Sequence, residues 1–285
     1  MFRRVAIIGL GLIGGSIGMA LRKAKAARQV VGYDLGKGVS ESAVKLGAID
    51  ESYMALTDVV CDAELLILAT PVGAMQALLQ NIASSLTPGT IVTDVASTKV
   101  QVISWAEEFL PSSVSFVGGH PMTGKELTGI ASADPALFQN CIYCLTPTVR
   151  TDRTALNAVA AFVEVLGARV HFMNPAEHDG QVASISHLPF LASIALVDTV
   201  TASPTWADAS LLAAGGFRDM SRLAAGSPEM YRDICMTNSA AIIQWLDEYI
   251  NALRILRERI SVHDSSLDET FAYAQQLRLR WEAGE

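Results

Sequence analysis

The sequence predicts an α/β fold in which a largely parallel sheet, wound with helices, is followed by an all-helical region. Up to about residue 173, short β-rich runs alternate with helical stretches, an order typical of β-α-β units. After residue 174 the strand signals stop. A glycine-rich turn directly follows the first strand, at the place where a doubly wound sheet binds its ligands. We therefore expect two domains, residues 1–174 and 175–285.

The elements of the first domain follow from its hydrophobic runs. Short aliphatic or β-branched runs between turn residues favour strands, and longer runs with apolar positions three or four apart favour helices. Strands are expected at 5–8, 30–33, 65–69, 91–93, 114–117, 142–145 and 170–173. Helices are expected at 14–27, 38–47, 73–85, 99–109 and 152–166.

The second domain begins with a clear helix start. Asn174 is a good N-cap, Pro175 suits the first helical position, and Glu177 adds an acidic residue to the first turn. We expect a helix over 175–201, kinked at Pro189, then a helix pair broken at Gly215-Gly216. A last helix is expected from about 227 to 261. One face of this helix is apolar and must pack against a partner chain or against other helices of its own domain. The residues of this face are Ile242, Trp245, Tyr249, Leu253, Leu256 and Ile260.

Composition narrows the function classes. The 285 residues carry a net charge of −8, which disfavours nucleic acid as a partner. Four cysteines fit a reducing compartment better than a disulfide framework. The apolar run after Arg3-Arg4 also resembles a secretion leader, but glycines punctuate it in the order of a nucleotide fingerprint. We find no other apolar stretch near the roughly 18 residues that span a bilayer, so we expect a cytoplasmic protein with no membrane partner.

The glycine-rich turn predicts a dinucleotide site. The strand at 5–8 leads into the GxGxxG pattern, whose glycines permit the tight turn, the approach of the pyrophosphate and close packing of helix on strand. Asp34 ends the second strand 20 residues after Gly14, where a carboxylate binds the ribose 2′-hydroxyl and repels a 2′-phosphate. NAD is therefore favoured over NADP, although Lys37 weakens that preference. The residues of the turn assigned to the cofactor are Gly9, Gly11, Leu12, Ile13 and Gly14.

Two further strand ends are expected to line the same crevice. Thr70-Pro71 follows the strand at 65–69, and Ser97 lies in the segment 94–99 after the next strand. These side chains either contact the cofactor or cap the helices that follow, and capping does not exclude contact.

A histidine stands at a third strand end. His120 lies in Gly-Gly-His-Pro-Met-Thr-Gly, where Pro121 pushes the preceding residue into an extended conformation and the glycines admit a ligand close to the backbone. A histidine at the carboxyl end of a strand can exchange a proton near neutral pH. The alternative is a loop histidine with no chemistry.

Five motifs in this order resemble a known family. They are the glycine turn, the segment 94–99, the His120 motif, Ser186-His187-Leu188-Pro189, and Gly216-Phe217-Arg218-Asp219-Met220-Ser221-Arg222. Together the chain is similar to the prephenate/arogenate dehydrogenases of tyrosine biosynthesis over nearly its whole length. The resemblance implies a Rossmann-type domain, a helical domain that forms a homodimer, and NAD-dependent oxidative decarboxylation of prephenate to 4-hydroxyphenylpyruvate.

The resemblance also implies roles for particular residues. His120 corresponds to the base that takes the proton of the ring hydroxyl, and Ser97 to a serine that hydrogen-bonds this histidine. Arg222 is expected to hold the substrate carboxylate through two parallel hydrogen bonds, with Arg218 as the alternative. The remaining substrate candidates are Ser186 and His187, which otherwise stabilise the kink, and Glu126. Some relatives carry a histidine where this chain has Phe190, which leaves substrate choice open.

Two other patterns are set aside, and rival functions remain. Cys141 and Cys144 are three apart in a strand and face opposite sides, so we expect neither redox use nor a metal site there. His178-Asp179 are helical neighbours that do not face each other, so we expect no catalytic dyad. The first rival is arogenate, or both substrates. A β-hydroxyacid dehydrogenase would need a lysine in its helical domain, and residues 175–285 contain none. The third rival function is a non-catalytic NAD sensor. We expect neither a chorismate mutase before this chain nor a regulatory ACT domain after it.

Overall fold

The computed structural model describes residues 2–124 and 127–284, and an eight-stranded sheet forms its centre. The strand order is β3-β2-β1-β4-β5-β6-β7-β8. All neighbours pair in parallel except β6 and β7, which are antiparallel. The strands are β1 Phe2–Ile8, β2 Ala27–Tyr33, β3 Glu51–Ser52, β4 Leu65–Leu68, β5 Ile91–Asp94, β6 Ser115–Pro121, β7 Ile142–Thr146 and β8 Arg169–Phe172.

The central strands are covered on both faces. Along β1, Val5 and Ile7 belong to one hydrophobic cluster, while the alternate residues Ala6 and Ile8 belong to another. This is the pattern of a parallel sheet between two layers of helices. The helices that cover it are α1 Leu12–Lys23, α2 Val39–Lys45, α3 Leu56–Val60, α4 Met75–Ile82, α5 Val100–Phe109 and α6 Arg153–Val165.

The predicted α/β fold is confirmed, with β3 and α3 as additions. These two elements have two and five residues, too few for a hydrophobic period to show in the sequence. The strand order turns back on itself at β1 and β4, so β-α connections leave in opposite directions there. Such a switch point opens the crevice in which doubly wound sheets bind ligands.

The helical region departs from expectation at three places. The run over 175–201 is continuous, but the turn before Pro189 widens into a π-helix, which relieves the clash of the proline ring with the preceding turn. Gly215 begins a helix rather than breaking one, and the predicted helix 227–261 is interrupted at Asn238. The elements are α7 Pro175–Val182, the π-helical turn Ala183–His187, α8 Leu188–Thr201, α9 Trp206–Leu211, α10 Gly215–Ser221, α11 Pro228–Thr237, α12 Ser239–Ser261 and α13 Leu267–Ala283.

The chain forms two compact units, Met1–Ser239 and Ala240–Glu285. Within the first unit, α11 is joined to the sheet domain by two polar contacts. Asp233 Oδ2 accepts the Gly73 N–H at 3.0 Å, and the hydroxyls of Thr98 and Thr237 are 2.9 Å apart. The second unit holds most of α12 and all of α13, and many of its large apolar side chains are exposed.

The expectation that only the N-terminal run is apolar enough to span a membrane is wrong on length and composition. The helical run Pro175–Thr201 has 27 residues and contains an 18-residue window with a mean hydropathy of 1.4. The charged residues of this run are Glu177, Asp179 and Asp198. Yet buried polar side chains of this run bond to the sheet domain, as shown below, which is how a helix packed against protein behaves.

Candidate active site

The glycine-rich turn between β1 and α1 leaves no room for larger residues at two positions. Gly9 has a φ of +92°, and a Cβ there would lie 2.4 Å from the Ala69 carbonyl oxygen. A Cβ on Gly14 would lie 1.9 Å from the carbonyl oxygen of Gly9. Gly11, in contrast, faces open space, and a Cβ at this position would have no atom within 4 Å. The turn therefore packs tightly on its protein side and stays open where Leu12 and Ile13 begin α1.

Asp34 lies just beyond β2 and reaches back to the same turn. Its Oδ2 accepts the Leu10 N–H at 2.7 Å, and its Oδ1 accepts the Gly36 N–H at 2.7 Å. The carboxylate is only partly buried, so lone pairs remain for a ribose hydroxyl. Asp34 thus braces the turn, and its role at the ribose stays a prediction.

The other predicted cofactor residues follow the ends of β4 and β5. Among the described residues, the Thr70 hydroxyl bonds only to Met75, at 3.7 Å from the sulfur, and Pro71 precedes a short 3₁₀ turn. The helix after Ser97 has Lys99 at its cap position, with no side-chain cap bond from its own segment. Within residues 2–124 and 127–284, neither hydroxyl caps the following helix, so the capping alternative is not observed.

A buried ion pair fixes the peptide that precedes His120. Lys99 and Asp94 are both fully buried, and Lys99 Nζ donates to Asp94 Oδ2 and, at 2.6 Å, to the Gly119 carbonyl. Asp94 Oδ1 accepts the Gly119 N–H at 3.0 Å. Burial lowers the pKa of Lys99 from its ordinary value, and the Asp94 charge opposes that shift. Both polar atoms of Gly119 are therefore held, so the end of β6 is rigid.

His120 forms a chain of hydrogen bonds that sequence reasoning missed. Its Nδ1 lies 2.9 Å from His178 Nε2, and His178 Nδ1 lies 2.8 Å from Asp179 Oδ1. The dismissal of the His178-Asp179 pair was wrong. Helical neighbours are rotated by about 100°, but two side chains bent towards each other still meet at the helix surface. His178 is fully buried, and Asp179 nearly so.

The electrostatic surroundings keep His120 neutral. Its pKa is lowered well below the ordinary 6.5, chiefly because burial disfavours the charged ring and also because His178, Lys99 and His187 are near. His120 Nε2 makes no hydrogen bond to any residue that the structure describes. The expected bond from Ser97 to this ring is likewise absent from the described part of the chain, because the ring's inner nitrogen is taken by His178 instead.

His187 is linked to Asp179 through the side chain of Asn238. Asn238 Nδ2 donates to the Asp179 carbonyl at 2.8 Å and lies 3.3 Å from His187 Nδ1. Because burial lowers the pKa of His187 to about 4, the ring is neutral and its Nδ1 accepts from that amide. The proton is then on Nε2, which is buried and lacks a partner among the described atoms. Such a donor needs a ligand or water. Ser186 is exposed.

The structure places the two candidate arginines near the end of α10. Arg218 lies within α10, Arg222 follows it directly, and both side chains are exposed. Arg222 interacts with other residues of the chain. Glu126 lies outside the described residues. The sequence therefore predicted this segment correctly as helical, while the assignment of the substrate carboxylate to Arg222 stays a prediction.

The two cysteines of the CxxC pattern lie at β7. Cys141 precedes β7, and Cys144 lies within it, with its sulfur 3.7 Å from that of Met173. Among residues 2–124 and 127–284, no group of three or more His, Cys, Asp or Glu side chains could hold a metal ion.

These features define a class of protein. A glycine-rich turn at a sheet's switch point, with a carboxylate beside it, is the site of a dinucleotide-binding oxidoreductase. Two family models then match most of the chain: "Prephenate dehydrogenase, nucleotide-binding domain" over residues 17–172, and "Prephenate dehydrogenase, dimerization domain" over residues 174–276. The chain belongs to the prephenate dehydrogenase family.

Individual relatives agree with this assignment. The chain is 37% identical to the prephenate dehydrogenase of Bacillus subtilis over 96% of its own length and 75% of that protein. It is 33% identical to the cyclohexadienyl dehydrogenase of Zymomonas mobilis, over 98% of its length and 96% of that protein. Among solved structures, prephenate dehydrogenase from A. aeolicus with hydroxyphenyl propionate and NAD+ superimposes with a TM-score of 0.91 at 29% identity, covering 100% of this chain and 99% of the other.

Proposed function

We propose that the protein oxidises prephenate with NAD, releasing carbon dioxide and 4-hydroxyphenylpyruvate. The observation that carries the proposal is the neutral His120 ring at the end of β6, with its inner nitrogen held and its outer nitrogen unbonded among the described residues. In this reaction the C4 hydroxyl of the ring must give up its proton as the C4 hydride departs. His120 Nε2 is the group that takes that proton, and aromatisation drives the loss of carbon dioxide.

The residues of the glycine turn fit NAD. Gly11 leaves the space that a pyrophosphate needs, and the first N–H groups of α1, at Leu12 and Ile13, point to that space with the positive end of the helix. The Asp34 carboxylate accepts hydrogen bonds from the ribose hydroxyls. The same crevice is bordered by Thr70, Pro71 and Ser97. When bound there, NAD supplies the acceptor for the hydride.

Replacing Asp34 with serine is expected to shift the cofactor preference towards NADP. The variant removes both the ribose acceptor and the charge that repels a 2′-phosphate, so the ratio of kcat/KM for NAD to that for NADP falls by about tenfold or more. Steady-state rates with both cofactors measure it. Asp208→Ser, at an exposed position of α9, should leave the ratio unchanged. An unchanged ratio in Asp34→Ser would remove Asp34 from the cofactor site.

Arg222→Lys is expected to raise the KM for prephenate by about 10- to 100-fold, with a smaller effect on kcat. A guanidinium holds a carboxylate by two parallel hydrogen bonds, and an ammonium group cannot reproduce that geometry. Arg218→Lys, one helical turn earlier, is the matched control. A normal KM in Arg222→Lys together with a raised KM in Arg218→Lys would transfer the carboxylate site to Arg218.

The second candidate substrate is arogenate, or both compounds. Phe190, which stands where some relatives carry a histidine, is buried and stacks on Tyr231 with ring centroids 4.0 Å apart. An apolar stack offers no charge to the side chain that distinguishes the two substrates. His187 Nε2 and Ser186 are the remaining donors we assign to the substrate, and Glu126, outside the described residues, stays a predicted substrate residue. Purified protein with prephenate or arogenate, and with NAD or NADP, followed at the absorbance band of the reduced nicotinamide, decides between them.

We further infer a cytoplasmic homodimer with domains 1–174 and 175–285. The match to a dimerization-domain model over residues 174–276 supports the dimer. So do the exposed apolar residues of the second unit, such as Trp245, Leu253 and Phe271. All four cysteines are free, which suits a reducing compartment.

A further inference from the structure

We propose that Asp179 and His178 form a positioning relay that sets the tautomer of His120 and shares the proton it takes up. The inference rests on the proposed function for its kinetic consequences, but not for its structural ones. Its basis is the direction of each hydrogen bond between Asp179 and His120. That direction follows from the backbone N–H groups at Asp179, which can only donate.

The first fixed donors are backbone N–H groups. Lys99 N–H donates to Asp179 Oδ1 at 2.7 Å, and Val100 N–H donates to Asp179 Oδ2 at 2.9 Å. These are the free N–H groups at the start of α5, so Asp179 caps that helix from α7, 80 residues away in sequence. Both oxygens already accept from N–H donors, which stabilises the carboxylate as an anion.

An anionic Asp179 fixes the next two bonds. His178 Nδ1 must be the donor in its 2.8 Å contact with Asp179 Oδ1. His178 is fully buried, and with one ring proton, placed on Nδ1, its Nε2 is an acceptor. His120 Nδ1 must carry the proton in the 2.9 Å contact with His178, with the two rings inclined at 72°. His120 Nε2 is left without a proton, which is the form that a base requires.

The same chain serves the reaction step. As the O–H bond of the ring hydroxyl breaks, its proton moves to His120 Nε2, and the positive charge spreads through Nδ1–H towards His178 and the Asp179 carboxylate. When carbon dioxide leaves, the electron pair of the broken C–C bond returns through the ring to the same oxygen. That oxygen takes the proton back from Nε2 as a phenol, so His120 ends each cycle neutral.

Other groups around the pair act in opposing directions. Besides burial, His178, Lys99 and His187 disfavour a charged His120, whereas Asp94 is paired with Lys99 and offsets much of its charge. Tyr143 and Cys144 of β7 are also near, and burial raises the pKa of both, so they stay neutral. Asp179 is therefore the anion that acts on the histidine pair through hydrogen bonds.

The test uses the full-length protein labelled with ¹⁵N-histidine, whose five imidazoles are few enough to assign by single substitutions. In ligand-free wild type we expect the His120 proton on Nδ1. Asp179→Asn reverses the direction of these hydrogen bonds, because the amide donates to His178 Nδ1 and His178 Nε2–H then donates to His120. The proton of His120 moves to Nε2, and kcat for prephenate falls by about 100-fold or more while KM changes little.

A second variant and a control separate positioning from folding. His178→Gln leaves Asp179 free to cap α5, and it is expected to lower kcat and to shift the acidic limb of the kcat/KM profile to lower pH. The shift has this sign because the anion no longer stabilises the protonated ring. Asp198→Asn, exposed on α8, should match wild type. A wild-type His120 protonated on Nε2, or variants with lower thermal stability but unchanged tautomer and pH profile, would overturn the relay. Absence of prephenate turnover in wild type would refute only the proposed function.

Discussion

His120→Asn is expected to lower kcat by about 10²- to 10⁴-fold with little change in KM, because it removes the base but keeps a polar side chain of similar reach. The loss should appear in kcat since the base acts only when the C4 hydroxyl ionises. The Gly119 peptide on its N-terminal side stays clamped by Asp94 and Lys99, so the substitution should not reshape the strand end. Steady-state kinetics with saturating NAD measure both constants.

His171→Asn is the matched control, since this histidine is exposed on β8 and belongs to no hydrogen-bonded group among the described residues. It should retain wild-type kcat. Normal turnover by His120→Asn would show that another group accepts the proton. His178 would then be the next candidate, being the only ring bonded to His120 in the described structure.

Most of the fold could be predicted because its signals are local. The glycine turn, the strand runs and the Asn174-Pro175 helix start each depend on a few neighbouring residues, and the structure places all of them as expected. The break at Asn238 could not be predicted. No glycine or proline marks it; instead the Asn238 side chain bonds to the Asp179 carbonyl and to His187, which lie 59 and 51 residues away. A contact of that range leaves no period in the sequence.

The site was predictable to the same extent. His120 and Asp34 were predicted as site residues because each lies at a strand end with characteristic flanking residues, and the structure places both at those strand ends. His178 and Asp179 were set aside because only their relation to each other was weighed, within one helix. Their roles depend on α7 docking against the start of α5, where two backbone N–H groups lack partners from their own segment. Because Ser97 was itself a candidate cap for this helix, the sequence did not indicate that an acceptor would come from elsewhere in the fold.

Lys99→Met is expected to reduce the free energy of unfolding by about 3–5 kcal/mol at neutral pH, the usual cost of removing one partner from a buried ion pair. Methionine fills much of the space, so the loss comes from the Asp94 carboxylate, which stays fully buried with its counter-charge gone. Urea unfolding of both proteins measures the difference. Lys45→Met, exposed on α2, removes the same charge at the surface and should change stability by no more than about 0.5 kcal/mol.

The double variant Lys99→Met with Asp94→Asn separates the charge from the packing. An amide at position 94 can still accept one of the N–H groups of Ala96 and Gly119, and it carries no charge to bury. We therefore expect the double variant to be more stable than Lys99→Met alone, which requires a favourable coupling energy in the cycle. If Asp94→Asn instead adds its full cost to that of Lys99→Met, the two side chains act independently. The ion pair would then not be what holds the peptide of Gly119 in place beneath His120.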